Sequence, residues 1–436
     1  MKKNCEVAII GAGLAGLSCG YHLEKEFCIF EKARHVGGLC TTKRVGDFYF
    51  DCDGHLLYFK QPAIKALVNS LLDKELIRHR RNSWIYSKGT YTRYPFQANT
   101  FGLPHETIKE CLLGLIEVRK NKGRSHNGQY EHFEQWIYHT FGSGYARHFL
   151  LPYNRKFWKF PLKQLTCEWL DGFIPVPSVE DSLEGALDDS KKLFGYNHHF
   201  WYPVHGGIQR LAEAFKEKIA QGSIGCNRAV GRIDLRRSLL EYNDGNKVSY
   251  KHLVSTMPLP ELVKISGPHP RKVYEAKNKL KHTSILNVNF GINRPAATKK
   301  HWIYFPESDF AFFRIGFMSN FSPYAAPEGG SSVYVEFSYR KQSELNIQKM
   351  LHEAKLALRR LGFIDDFCDI AVEDHNLIPY GYIIYDKYCN QATCLLRDYF
   401  RNYNITPIGR YGLWRYLSME DVIASGKTTA EKLNAQ

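Results

Sequence analysis

The chain of 436 residues is 44% hydrophobic and 24% charged, an ordinary globular composition with room for more than one domain and a large core. No window approaches the roughly twenty consecutive apolar residues of a membrane-spanning helix, and the apolar run after Asn4 breaks at Gly11 instead of continuing as a signal peptide, so neither membrane insertion nor secretion is expected. The net charge of +15 is dispersed over Arg78 to Arg81, the segment from Arg119 and the segment from Arg271, with no element combining charge and aromatics; an anionic small substrate is expected and nucleic acid is not.

From Cys5 to Glu31 the residues predict strand, glycine turn, helix and second strand. Val7, Ala8, Ile9 and Ile10 form the continuous apolar run of a strand buried on both faces. Gly11, Gly13 and Gly16 follow at G-x-G-x-x-G spacing around Leu14 and Ala15. The first glycine permits the tight turn, the second lets backbone approach a pyrophosphate, and the third lets the helix pack on the sheet. The helix N-terminus then offers unpaired N–H groups to the phosphates. Glu31, next to Lys32, stands where a carboxylate accepts from adenosine ribose hydroxyls. Directly afterwards Gly37, Gly38 and Leu39 lead to Thr41 and Thr42; a second glycine pair past the ribose-binding acid points to an extended FAD, for which a plain nicotinamide enzyme has no need.

The aromatic alternation of GDFYFDCDGHLLYF predicts a strand ending in Asp53, Gly54 and His55, with the glycine marking backbone close to something flat. His55 faces either a flavin ring or the core. From Pro104 to Tyr145 the period turns helical, with Ile108, Cys111, Leu112, Leu115 and Ile116 on one face and Phe133, Trp136, Ile137 and Phe141 on the next. The polar stretch KNKGRSHNGQ between them predicts a loop. An aromatic segment broken by Pro152 and Pro161 follows, and then Gly206 and Gly207 open a helix. Strands returning to the first domain are expected next, with a hairpin at Asn243, Asp244 and Gly245, and with Val230 placed to hydrogen-bond an adenine through its backbone. From Ser284 to Tyr339 alternation predicts an antiparallel sheet roofing a substrate pocket, followed by a helix over 343–361 and a tyrosine-rich stretch. At the C-terminus an apolar strand, a turn with Gly409 and Arg410, and a helix capped by Ser418 and Asp421 close the cofactor site, the amides near Met419 facing the pyrimidine side of a reduced flavin. Eleven cysteines without C-x-x-C pairs or metal-spaced histidines indicate no metal site and no disulfide framework, and a cytoplasmic setting fits.

The expected fold is therefore α/β: a Rossmann-type FAD-binding domain in three parts (1–85, 201–265 and 391–436), an inserted, mainly helical domain (86–200) and an antiparallel sheet substrate domain (266–390).

GAGLAGL, PYNRKFWKFPLKQLTCEWL from Pro152, FRIGFMSNFSPYAAPE from Phe313 and GRYGLWRYLSMEDVI from Gly409 together resemble the FAD-dependent UDP-galactopyranose mutases of the eukaryotic type, within the amine oxidase and protoporphyrinogen oxidase superfamily. The resemblance runs through nearly the whole chain. It implies an isomerase that interconverts pyranose and furanose forms of a nucleotide-diphosphate sugar for polysaccharide or secondary-metabolite synthesis, through attack of N5 of reduced FAD on the anomeric carbon. A reductant, with NAD(P)H as candidate, is implied as well, and the number of chains that assemble is left open. By the same resemblance Arg314 and Tyr304 bind the diphosphate, Tyr382 and Tyr416 join them from the C-terminal part, and His55 lies against the flavin. One departure stands out: where the family carries its other diphosphate arginine, this chain holds Trp201, with His199, His205 or Arg155 as replacement cations. The alternative is an FAD-dependent oxidase or desaturase of the wider superfamily.

Overall fold

The computed structural model describes residues 4–436 except 74, 121–129, 171, 190, 191, 193, 196 and 197, so the loop expected at 120–129 lies almost wholly outside the described residues. Asn4–Ile10 is the centre of a seven-stranded sheet. It pairs in parallel with Phe27–Phe30 on one side and Lys247–Ser255 on the other, which explains the unbroken apolar run: Val7, Ala8 and Ile9 are fully buried because both faces of the strand are covered. Ile224–Gly225 extends the sheet beyond Phe27–Phe30, and Ile405–Pro407 pairs in parallel with Lys247–Ser255. The ribbon Val230–Asp234 and Leu239–Tyr242 adds an antiparallel edge, joined to Lys247–Ser255 by the expected hairpin turn, in which Gly245 has φ +78°.

One face of this sheet carries Leu14–His22, Gln209–Lys218 and Met419–Asn434; the other carries Leu259–Ile265, Arg271–Lys279 and Cys389–Arg401. The last helix meets the first at close range. Ser18 Oγ donates to the Ile423 carbonyl at 2.7 Å, and a methyl group on Gly426 would strike the Ala15 carbonyl. Cys5 and Cys28 are joined by a disulfide, where the cysteine spacing indicated no disulfide framework: neighbouring parallel strands bring together residues that sequence spacing does not pair.

A second seven-stranded sheet runs in the order Ile370–Ile384, Lys281–Ile292, Ser331–Tyr339, Arg314–Phe317, Trp302–Tyr304, Ser83–Ser87, Thr90–Arg93. All its pairings are antiparallel except Trp302–Tyr304 with Ser83–Ser87, the strand in which the boundary expected at residue 85 falls. The helix Ile347–Arg360 covers the apolar face through Leu351, Ala354 and Leu358. The tyrosine-rich stretch lies largely within the 15-residue strand Ile370–Ile384. The edge position of this strand, together with a register shift opposite Thr283 and Ile285, accommodates Pro379. The helices His105–Lys120, Phe133–Tyr145 and Leu151–Trp158 share one core in which Cys111, Leu115, Phe133, Ile137 and Phe141 are buried on the expected faces.

Candidate functional site

The glycine turn after Ile10 forms a cradle. Gly11 has φ +98° and donates to the Phe30 carbonyl at 2.8 Å, and a side chain on Gly16 would strike the Gly11 carbonyl. Gly13 caps the helix Leu14–His22 without a side-chain acceptor, so the N-terminal amides of that helix are open to an anion. Gly37 donates to the Ala12 carbonyl at 2.8 Å, and Gly38, at φ +63°, lies against Gly13, so the second glycine pair folds back onto the first. Glu31 is buried at the end of its strand, where Oε2 accepts from the Ala12 amide at 2.7 Å and Oε1 from the Ala33 amide at 2.8 Å. Each oxygen keeps a lone pair for a ribose hydroxyl. Arg228 N–H donates to the Glu31 carbonyl at 2.8 Å, which brings the start of Val230–Asp234 alongside. Gly409, at φ +71°, meets Ala15, and Ser418 and Asp421 cap the helix that begins at Met419 with a reciprocal pair of hydrogen bonds.

The second sheet supplies the polar floor. Tyr304, Arg314 and Glu336 are directly opposed on three adjacent strands, so their side chains stand on one face in one rung. Glu336 accepts from Nε and, at 2.7 Å, from a terminal nitrogen of Arg314. Asp53 brings a second carboxylate to 3.6 Å from the same guanidinium. Gly54 has no side chain because Tyr334, next to Glu336 on the same face, fills that space. Around this rung stand Tyr153, 5.5 Å from the Tyr304 ring, Phe157, 4.3 Å from Tyr382, and Tyr416, stacked on Tyr382. Arg410 lies over Tyr416 at 4.5 Å and Tyr382 at 5.4 Å and donates to the Gly381 carbonyl; its Nε–H is buried without a partner among the described residues. Leu39, just after the second glycine pair, packs against the cluster of Ile285, Phe313 and Ile378 that Phe157 and Tyr382 also border, which brings that loop to the floor.

Burial governs the ionisation of this cluster. It pushes the Glu336 carboxyl well above the carboxylate range, and the Asp53 charge adds to the effect. Asp53 ends below its ordinary value: burial raises it, but the hydrogen bond to Glu336 and the Arg314 charge outweigh that. The pair therefore holds its proton on Glu336 first. Burial keeps His55 neutral and the hydroxyls of Tyr153, Tyr334 and Tyr382 protonated. His55 Nδ1 lies 3.2 Å from the Asp53 carbonyl, which can only accept, so Nδ1 carries the hydrogen and Nε2 the lone pair.

The family model for flavin containing amine oxidoreductases matches residues 14–434. The chain belongs to that family. Among solved structures, a reduced UDP-galactopyranose mutase superposes with a TM-score of 0.93 at 24% identity over 99% of this chain and 94% of that one. A putative protoporphyrinogen oxidase from Exiguobacterium sp. 255-15 gives 0.73 at 13% identity over 100% and 99%, and putrescine oxidase bound to putrescine gives 0.67 at 16% over 99% of each. The cofactor of this family member is FAD. The residues fit it: the uncapped helix start, the glycines that leave no room for a Cβ, the lone pairs of Glu31 and the unpartnered Arg410 Nε–H are donors and acceptors placed for a dinucleotide and the edge of a flavin.

The expected site residues divide into two groups. Gly11, Gly13, Leu14, Ala15, Gly16, Glu31, Gly38, Val230 and Gly409 surround the first glycine turn, with Lys32 exposed at its rim and Met419 in the adjoining apolar cluster. His55, Tyr304, Arg314, Tyr382, Tyr416 and Arg410 meet around the rung. Arg155 and Trp201 do not join them. Arg155 is 59% exposed and faces Glu134, and Trp201 packs on Phe59 beneath Lys65 and Arg78. His205 stacks on Tyr324. The second guanidinium at the rung belongs to Arg410, expected only as a cofactor contact. Four residues that sequence reasoning passed over are Asp53, Tyr153, Glu336 and Phe173, the last 5.0 Å from Tyr416. Glu336 had a signal, being the one charged residue in the strand SSVYVEFSY. Beside Tyr94, whose ring is 5.4 Å from Tyr304, a cavity of about 310 Å³ is lined by Arg80, Arg81, Asn82, Ser83, Arg93 and Lys192. Among the described residues no helix is long and apolar enough to cross a membrane.

Proposed function

We propose that this flavin amine oxidoreductase family member is an isomerase that interconverts the pyranose and furanose forms of a nucleotide-diphosphate sugar. The observation that carries the reading is the Tyr304–Arg314–Glu336 rung, closed by Arg410, Tyr382 and Tyr416 and packed through Leu39 against the cofactor loop. The likeness to the reduced mutase supports it at the level of the fold. Bound in its reduced form, FAD supplies a nucleophilic ring nitrogen on a flat face. The side chains do the rest. Arg314 and Arg410 bind phosphate oxygens and take up the charge that develops as the diphosphate leaves. Tyr304, Tyr382 and Tyr416 orient that group through their hydroxyls. Phe157, Phe313 and Tyr153 exclude water, and neutral His55 has the Nε2 lone pair available to accept a proton. The reductant is proposed to be NAD(P)H, for whose phosphates the basic cavity beside Tyr94 supplies cations.

A second reading, an FAD oxidase of a substrate without a diphosphate, is favoured by one observation: two carboxyl groups, Asp53 and Glu336, already share the Arg314 guanidinium. Titration of the purified flavoprotein with UDP-sugars, followed by the flavin spectrum, separates the two. The mutase reading predicts saturable binding that Arg314→Ala abolishes, while FAD content is retained. Binding of amines but of no nucleotide sugar, indifferent to Arg314→Ala, would favour the oxidase.

A further inference from the structure

The cations of the segment from Arg271, scattered when read along the chain, join others in the fold. The helix Arg271–Lys279 turns Val273 and Ala276 into the core beside the first sheet and leaves Arg271, Lys272, Tyr274 and Lys279 exposed. It packs against Cys389–Arg401, which buries Ala392, Leu396 and Phe400 in the same core and carries Arg397 and Arg401 one turn apart. Lys387 and Tyr388, both exposed, lead into that second helix. The Tyr388 ring lies 5.3 Å from Lys279 Nζ and 5.1 Å from Lys387 Nζ, so the end of one helix and the start of the other form one surface.

With Lys277 included, seven cations share this surface with three exposed carboxylates, Glu275, Asp398 and Glu168, the last held by Asn390. At the rim Lys264 is matched by Glu261 and Lys281 by Asp386. Arg271 and Arg401 pair only with carboxylates of their own helices, in contacts too exposed to hold much charge in place. Lys272, Lys277 and Arg397 have no ion-pair partner among the described residues. Like charges gathered in this way repel one another, and an anionic surface opposite them turns that repulsion into attraction.

The chemistry favours a bilayer as that surface. The cations lie on the sides of two packed helices, where a lipid surface asks only that they face it, whereas a duplex is read by an element that enters a groove. Tyr388 and Tyr274 are 40% and 38% exposed, and tyrosine rings suit the level of lipid head groups. The lysines that flank Tyr388 can lay their stems along an apolar layer while their ammonium groups reach phosphates. Tyr385, three residues before Tyr388, accepts the Tyr416 amide at 2.5 Å, so the surface adjoins a wall of the candidate site. We propose that the face formed by Arg271–Lys279 and the start and outer side of Cys389–Arg401 docks this protein reversibly onto a bilayer rich in anionic lipid, whatever substrate the site takes.

The test is co-sedimentation of the FAD-loaded full chain with vesicles of phosphatidylcholine alone and with about a third phosphatidylserine. At about 0.1 M salt the protein is expected to pellet with the anionic vesicles and not with the neutral ones, and the affinity to fall at least tenfold at about 0.5 M. Lys272→Glu/Lys279→Glu is expected to weaken binding at least tenfold, and Lys277→Gln/Arg397→Gln at least threefold. Lys216→Glu/Lys218→Glu makes the same change in net charge as the first pair, on the helix Gln209–Lys218 across the first sheet, and is expected to change binding less than threefold. FAD absorbance per chain is expected to be the same in all of them. Failure of the wild type to pellet with anionic vesicles overturns the proposal. Equal weakening by the Lys216 and Lys218 reversals also overturns it, since net charge alone would then explain the binding. Retention of a duplex DNA oligonucleotide at the same salt, with the vesicles ignored, overturns it in favour of nucleic acid.

Discussion

Replacing Arg314 by leucine tests the electrostatic design of the floor without any knowledge of the substrate. The guanidinium is 16% exposed and Glu336 is fully buried, so the substitution leaves Glu336 without its two donors and Asp53 without its cation. Removing one partner of a buried pair costs about 3–5 kcal/mol, because the desolvated partner stays behind, whereas replacing both by apolar groups of similar volume is near neutral. Equilibrium urea unfolding of the FAD-saturated protein at pH 7 is expected to show a loss of about 3–5 kcal/mol for Arg314→Leu, and recovery of part of it in Arg314→Leu/Glu336→Leu, in which Asp53 still lacks its cation. The deficit also has a pH signature. Asp53 is held below its ordinary value in the fold, so it contributes stability above the unfolded value of 3.8 and loses it as pH falls through the folded value. Wild type and single variant therefore converge in acid. A single-variant cost under about 1 kcal/mol, or a double variant less stable than the single, would refute the argument that the pair is a buried, mutually dependent unit.

Other outcomes follow from individual contacts. His301 is buried and its Nδ1 accepts the Asn82 amide, and burial lowers its pKa to about 3 from 6.5; stability present above pH 6.5 is lost as pH falls toward 3, about 2 kcal/mol between pH 7 and 5, which His301→Asn should reduce in urea midpoints measured at both pH values. Gly54→Ala forces a methyl group into Tyr334 and should lower FAD content per chain, measured by absorbance, below that of wild type. Glu31→Ala orphans the buried Ala12 amide, at about 1–3 kcal/mol, and should yield protein that loses FAD on gel filtration.

The cofactor cradle was legible in the sequence because its determinants are local. Gly11, Gly38 and Gly409 adopt positive φ that few other residues tolerate, and Glu31 directly follows a strand only four residues long. Alternation likewise exposed most of the second sheet. What escaped depends on register between distant segments. Glu336 meets Arg314 across a 22-residue separation, and Ser83–Ser87 joins the sheet beside Trp302–Tyr304, from the other end of the chain segment. Pro379 and Gly381 disguised a strand because the bulge that accommodates them is set by its partner Lys281–Ile292. Trp201 illustrates the opposite failure: its place before Gly206 and Gly207 is right in order along the chain, yet pairing with Arg78 and Leu57 turns the strand so that its ring packs under Lys65.

The proposal of a flavin-dependent ring isomerase is tested most directly by anaerobic turnover of a panel of nucleotide-diphosphate and monophosphate sugars, with the flavin oxidised and then after dithionite, products being followed by chromatography and mass spectrometry. The account predicts a product of unchanged mass and altered retention, formed only by the reduced protein and absent with Arg314→Ala. Unchanged sugars in both states, together with rapid bleaching of the flavin by a donor outside the panel, would contradict it.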